Sequence, residues 1–117
     1  MLFVNYPKCT TCKRAKAFLD SLCIDYQDRN IKEQNPTAKE LDSWITSSGL
    51  DIKRFFNTSG LLYRSLELKD KLDSMSREEK ISLLASDGML VRRPILIDGG
   101  TVLVGFNEKE WEQKLKR

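Results

Sequence analysis

Cys9-Thr10-Thr11-Cys12 stands between the apolar run Leu2-Phe3-Val4 and an amphipathic stretch beginning at Thr10. Few folds place a dithiol where a short buried strand turns into a helix. A helix start carries unpaired backbone N–H groups and the positive end of the macrodipole. A thiolate seated there is stabilised, so its pKa falls and more of it is nucleophilic at neutral pH. Cys9, at or near the N-cap, gains most. Cys12 lies one turn later, close enough in a helix to form a disulfide with it. Thr10 and Thr11 leave access open, and Lys8, Lys13 and Arg14 add positive charge. The chain contains no His. Activation of the thiol therefore falls to the helix end and to cationic side chains.

Other uses of the pair weigh less. Cys23 is the one further Cys or His in the chain, so a four-ligand Cys/His zinc site cannot be completed. A structural disulfide across two residues would staple little. A redox-active dithiol ranks first because strand, turn and helix follow in order. Cys23, at the end of the same helix, reads as a packed core or boundary residue.

The length of 117 residues suits one domain with one modest core. A charged fraction of 32% beside a hydrophobic fraction of 40% excludes a disordered chain. A net charge of +3 is too small and scattered to imply direct nucleic-acid binding. No apolar stretch reaches membrane-spanning length, and the N-terminus lacks a signal-peptide pattern. Three cysteines, odd in number, fit a reducing cytoplasm.

Along the chain, Leu2 to Asn5 reads as a strand. A helix from Thr10 to about Leu22 aligns Ala15, Phe18, Leu19 and Leu22 on one face. Ile24 to Arg29 is a second strand, and strand, helix and strand form a βαβ unit with parallel strands. Asn35-Pro36 breaks the chain. Thr37 and Glu40 form a capping box, opening a helix to about Ser47 that buries Ala38, Leu41, Trp44 and Ile45, with Gly49 ending it. Short helical turns follow, broken at 57–60. Ser76 and Glu79 form a second capping box, and Gly88 closes that helix. Gly99-Gly100 joins Ile95–Asp98 to Thr101–Val104 as a hairpin. Phe106, Asn107 and Glu110 open a last helix with Trp111 and Leu115 inward. The order is βαβ, a helical insertion over about 36–88, then ββα. That is an α/β thioredoxin-like fold with a mixed four-stranded sheet, one domain over 1–117.

A second constellation is Val91-Arg92-Arg93-Pro94-Ile95. A proline at the first position of a strand is tolerated there. In the thioredoxin-like fold this proline is cis and sits beside the dithiol, presenting Arg93 to the space over Cys9. A guanidinium offers a planar donor set for an oxyanion or carboxylate. Arg92 reads as an ordinary solvated side chain.

Tyr6-Pro7-Lys8-Cys9-Thr10-Thr11-Cys12-Lys13, Phe55-Phe56-Asn57-Thr58-Ser59-Gly60, Leu83 to Leu90, Arg93-Pro94 and Val104-Gly105-Phe106 together resemble the ArsC/Spx family across nearly the whole chain. The nearest resemblance is to its small bacterial arsenate reductase-like branch. The resemblance implies that Cys9 is the nucleophile toward arsenate, a disulfide or a sulfenic acid, and that Cys12 resolves the product. It implies oxyanion binding by Arg93, with Lys53, beside Arg54, at a second arginine position. The third arginine position has no counterpart, Asn107 lying in that region. Asn57 and Arg64 are candidate cleft-lining residues. No metal or organic cofactor is called for; an external thiol reductant, glutathione with glutaredoxin or thioredoxin, restores the dithiol. The Spx-like members of the family imply a different role, a redox-sensing transcriptional regulator that binds the C-terminal domain of the α-subunit of RNA polymerase.

Overall fold

The computed structural model describes residues 1–115. Four strands, β1 (Leu2–Asn5), β2 (Gln27–Asn30), β3 (Ile95–Asp98) and β4 (Thr101–Val104), form one sheet in the order β2-β1-β3-β4. β1 and β2 are parallel, whereas β3 is antiparallel to β1 and to β4. The sheet is mixed and four-stranded, as the pattern predicts. The hairpin pairs Asp98 with Thr101, and Gly99 takes a φ of +59°, which a glycine adopts without a Cβ penalty.

Strand alternation divides the core into two layers. Phe3, Leu96 and Leu103 face helices α1 (Thr10–Ser21) and α6 (Glu108–Lys114), packing with Ala15, Leu19, Trp111 and Leu115. Val4, Ile95, Val102 and Val104 face the opposite side, against Leu41, Trp44, Phe55, Phe56 and Leu84 of the insertion. The insertion contains α2 (Ala38–Ser48), a 3₁₀ turn at Ile52–Phe55, α3 (Leu61–Ser65), α4 (Leu68–Lys71) and α5 (Arg77–Ser86). Both capping boxes are reciprocal: Thr37 with Glu40, and Ser76 with Glu79. Gly49 ends α2 in the left-handed region at φ +69°.

Several local expectations change. β2 starts at Gln27 rather than Ile24 because α1 ends in a Schellman motif. The Cys23 N–H donates to the Asp20 carbonyl and the Ile24 N–H to the Leu19 carbonyl. Cys23 occupies the left-handed position usually held by glycine, at φ +55°. It is therefore exposed, not a packed residue, and Leu22 beside it is exposed as well. Ala38, first in α2, is also exposed. Gly88 does not close α5 with a left-handed residue. Asp87 ends that helix in extended backbone, and Gly88 is buried where a Cβ would run into the Ile31 carbonyl. Its role is close backbone approach.

Candidate active site

The chain leaves β1 through Asn5 and Tyr6, and the Cys9 N–H donates to the Tyr6 carbonyl at 3.0 Å. Cys9 is the N-cap of α1 in extended backbone, φ −87° and ψ 122°. No first-turn N–H makes a full capping bond to its sulfur, yet those of Thr11 and Cys12 lie close enough to favour the thiolate. Burial pushes the Cys9 thiol up. The N–H of Cys12, the Cys12 thiol, the Arg93 guanidinium and the N–H of Thr11 outweigh burial, so the net shift is downward from the ordinary thiol value. Cys12 behaves oppositely. It is 1% exposed, and burial, with the bond to Cys9 and its charge, pushes its thiol up to about 12 against the pull of the Tyr6 N–H. Both thiols are reduced. Cys9 therefore gives up its proton more readily than an ordinary thiol, and Cys12 holds its own more tightly.

Three connections build the wall opposite Cys9. Arg92 N–H donates to the Phe55 carbonyl at 2.8 Å, Asn57 N–H donates to the Leu90 carbonyl at 2.8 Å, and Phe56 pairs with Val91 as an isolated bridge. These bonds tie the 57–59 turn of the insertion to the segment before β3. The Arg93–Pro94 bond is cis, and the Gly105 N–H donates to the Pro94 carbonyl at 2.8 Å. The resulting cleft, about 460 Å³, is lined by Cys9, Thr11, Arg14, Asn57, Thr58, Ser59, Arg92, Arg93, Gly105 and two phenylalanines, Phe56 and Phe106.

Arg93 is half-buried, with its guanidinium carbon 5.3 Å from the centre of the Tyr6 ring. Its Nε and Nη1 are shielded from solvent and have no hydrogen-bond partner among the described residues. Donors left unpaired in a cation are costly, so this arrangement is one that an anion relieves.

The predicted residues separate into two groups. Cys9, Cys12, Arg93, Pro94 and Asn57 are gathered at this end of the sheet. Asn57 is held by its backbone and by a side-chain bond of 3.5 Å to the Met89 carbonyl. Lys53 and Arg54 do not line the cleft. They sit on the exposed side of a 3₁₀ turn whose Phe55 points inward, and Arg54 borders a separate hollow beside Gly100 and Lys114. Arg64 is exposed on α3, where Tyr63 is the buried member, and it too lies outside the cleft lining. Asn107 caps α6 by accepting from the Glu110 N–H at 3.1 Å. Lys8 and Lys13 are exposed outside the cleft lining, whereas Arg14 lines it, 5.7 Å above the Phe106 ring. Arg92 is exposed, as its sequence context suggests, but it also lines the cleft, which sequence reasoning missed. The signal available was Gly105: a Cβ there would meet the Arg92 Nε at 2.8 Å, so that glycine leaves room for the guanidinium.

Among the described residues no group of three His, Cys, Asp or Glu side chains is placed to hold a metal. No described helix is long and apolar enough to cross a membrane.

Comparison with known proteins agrees with this geometry. An ArsC family-related protein from Bacteroides fragilis has a crystal structure with a TM-score of 0.93 at 50% identity, covering 96% of this chain and 94% of that one. A possible arsenate reductase from Streptococcus mutans UA159 superposes with a TM-score of 0.87 at 47% identity, covering 95% and 96%. The global transcriptional regulator Spx of Staphylococcus aureus is 33% identical over 113 residues, 95% of this chain and 83% of Spx. The ArsC family pattern itself matches residues 4–114. With a dithiol helix, a cis proline and a helical insertion in one frame, the chain belongs to the ArsC family.

Proposed function

We propose that this protein is a thiol–disulfide oxidoreductase of the arsenate reductase-like kind, with Cys9 as nucleophile and Cys12 as resolving thiol. The observation that carries this reading is the placement of two reduced cysteines one helical turn apart, Cys9 at the N-cap and open to the cleft it shares with Arg93, and Cys12 buried. With arsenate as substrate, the Cys9 thiolate attacks arsenic, and one oxygen, protonated, leaves as water. A Cys9–S–As(V) adduct results. Cys12 then loses its proton and attacks the Cys9 sulfur. The S–As bond breaks with its electron pair left on arsenic, which departs as arsenite, and the two sulfurs remain as a disulfide. With a disulfide substrate, Cys9 displaces one sulfur as a thiolate and Cys12 displaces the other.

The raised Cys12 pKa suits this order. Two of its causes are the bond to Cys9 and the Cys9 charge. Both vanish once the Cys9 sulfur is covalently engaged, so Cys12 becomes easier to ionise when it is needed. Arg93 stabilises the negative charge that develops next to Cys9. An external thiol, glutathione with glutaredoxin or thioredoxin, returns the disulfide to the dithiol in two exchange steps.

The test is a pair of variants. Cys9→Ser is expected to abolish turnover, and Cys12→Ser to accumulate a mixed disulfide on Cys9, visible by mass spectrometry. Turnover equal to wild type in both variants would remove the dithiol from the mechanism. A second reading rests on the similarity to Spx: oxidation of the same pair as a switch, with docking to the C-terminal domain of the α-subunit of RNA polymerase. Redox-dependent co-purification with that polymerase domain, without turnover of arsenate or disulfides, selects it.

A further inference from the structure

Cys9 and Arg93 account for one end of the cleft. The other end is the corner where β4 runs into α6, at Gly105 and Phe106. Two more guanidinium groups gather there. Arg92 lies over the bare Gly105 backbone, its Nε and Nη2 at 2.8 and 3.0 Å from where a Cβ would sit. Arg14 lies over the Phe106 ring. Among the described residues the salt bridges are Lys16–Asp28, Arg29–Glu40 and Arg77–Asp42, and none involves these arginines. The described cleft lining contains three arginines and no Asp or Glu.

Like charges gathered in a concavity repel one another and concentrate anions. A single oxyanion on Cys9 needs only the Arg93 end. A cleft of about 460 Å³ falls in the range that encloses a whole small molecule. Gly105 matters for a physical reason. At φ +72° it holds a backbone that side-chain-bearing residues rarely adopt, and its missing Cβ is the space the Arg92 guanidinium occupies.

We propose that Arg92, seated by Gly105 and assisted by Arg14, forms a second anion subsite that binds a carboxylate of a low-molecular-weight thiol or its disulfide, while the ligand's sulfur faces Cys9. This subsite deepens the oxidoreductase reading and rests on it for its biological use. It makes the protein selective for small thiols that carry carboxylates over neutral ones of similar reactivity.

Two measurements separate the subsite from the chemistry. S-methylglutathione carries the carboxylates but cannot exchange. Calorimetric titration is expected to show salt-sensitive binding to the wild-type protein, weakened about tenfold by Arg92→Ala and partly restored by Arg92→Lys, the scale of one hydrogen bond to a charged group. Absence of binding, or equal binding by wild type and Arg92→Ala, would overturn the subsite. The second measurement uses Cys12→Ser and follows Cys9 exchange with two oxidants, oxidised glutathione and neutral hydroxyethyl disulfide. In each, the thiolate forms one S–S bond as another breaks, releasing a thiolate. Adding Arg92→Ala is expected to slow the first about tenfold more than the second. Equal slowing of both would assign Arg92 to tuning of Cys9 and overturn the subsite. Failure of Cys9 to react with either disulfide, with S-methylglutathione still bound, would sink the oxidoreductase reading and leave the subsite standing.

Discussion

Two half-buried arginines, each stacked near an aromatic ring, have opposite surroundings. Arg29, on β2, lies 5.9 Å from the Trp44 ring. Its Nη1 and Nη2 grip the Glu40 carboxylate at 2.6 and 2.9 Å, Nε donates to the Gln34 carbonyl and Nη2 also to that of Asn35. Arg93, before β3, lies 5.3 Å from the Tyr6 ring with two shielded nitrogens that have no protein partner among the described residues. Burial and stacking are alike in the two. What differs is whether the fold has completed the hydrogen bonds. A satisfied guanidinium fastens elements together: here it joins β2, the following loop and the first turn of α2. An unsatisfied one beside a nucleophile is a position held ready for something that arrives. Partner inventory therefore separates anchor from site where burial alone cannot.

The contrast breaks most visibly if Arg93 is removed. Arg93→Ala is expected to lower kcat/KM for the reduced substrate class by about 100-fold, the scale of losing one preorganised donor at a developing anion. The same change takes away one cause of the lowered Cys9 pKa. The pH at which Cys9 alkylation reaches half its maximum should therefore move up, measured by iodoacetamide rates. Thermal stability should change little, because Nε and Nη1 lose no bond. A large fall in melting temperature with normal turnover would make Arg93 another anchor.

Arg29→Ala is expected to do the reverse. The pair with Glu40 has side-chain exposures of 14% and 33%, between a surface pair and a fully buried one. The expected cost is about 2 kcal/mol of unfolding free energy, because the Glu40 carboxylate is left half-buried without its cation. Urea denaturation reads it. The Cys9 alkylation profile should stay where it is. An altered profile would mean that the β2 anchor also shapes the site.

Local signals explain which parts of this were legible in the sequence. Cys9, Cys12 and the helix that carries them follow from spacing and order, and both capping boxes follow from Thr37-x-x-Glu40 and Ser76-x-x-Glu79. The hairpin follows from Gly99-Gly100. What failed depended on contacts distant in sequence or on side-chain direction in a short turn. Lys53 and Arg54 belong to a turn whose facing is set by burial of Phe55, not by charge. Arg92 is exposed, as read, but its place in the cleft lining was not legible because its seat is provided by Gly105, thirteen residues on and past the end of another strand. Cys23 looked apolar, but the C-terminal geometry of α1 needed a residue in the left-handed region. Glu40 shows the limit from the other side: the capping box is readable, while its pairing with Arg29 across eleven residues is not.

That pairing gives the smallest of the expected effects and the finest separation of the two arginines. The bonds from Arg29, opposed by burial and helped by those from Thr37, hold the Glu40 carboxyl down at about 2, against an ordinary value of 4.5. A carboxyl that is more acidic in the folded state releases its proton more readily there, so between these two values the unfolded chain binds more protons. Stability from this group is complete above about pH 4.5 and is lost as the pH falls toward about 2. Part of it survives in Arg29→Ala, since the Thr37 N–H still donates to Glu40 Oε1 at 3.1 Å. Glu40→Gln keeps an acceptor for the cap but has no proton to exchange. Its unfolding free energy should therefore fall less steeply than that of wild type between about pH 5 and pH 3, by denaturant titration at each pH. Arg93→Ala should follow the wild-type slope, because Arg93 lies in a separate cleft. Parallel slopes for wild type and Glu40→Gln would mean that Arg29 does not hold the carboxylate in solution, and the anchor half of the comparison would fall.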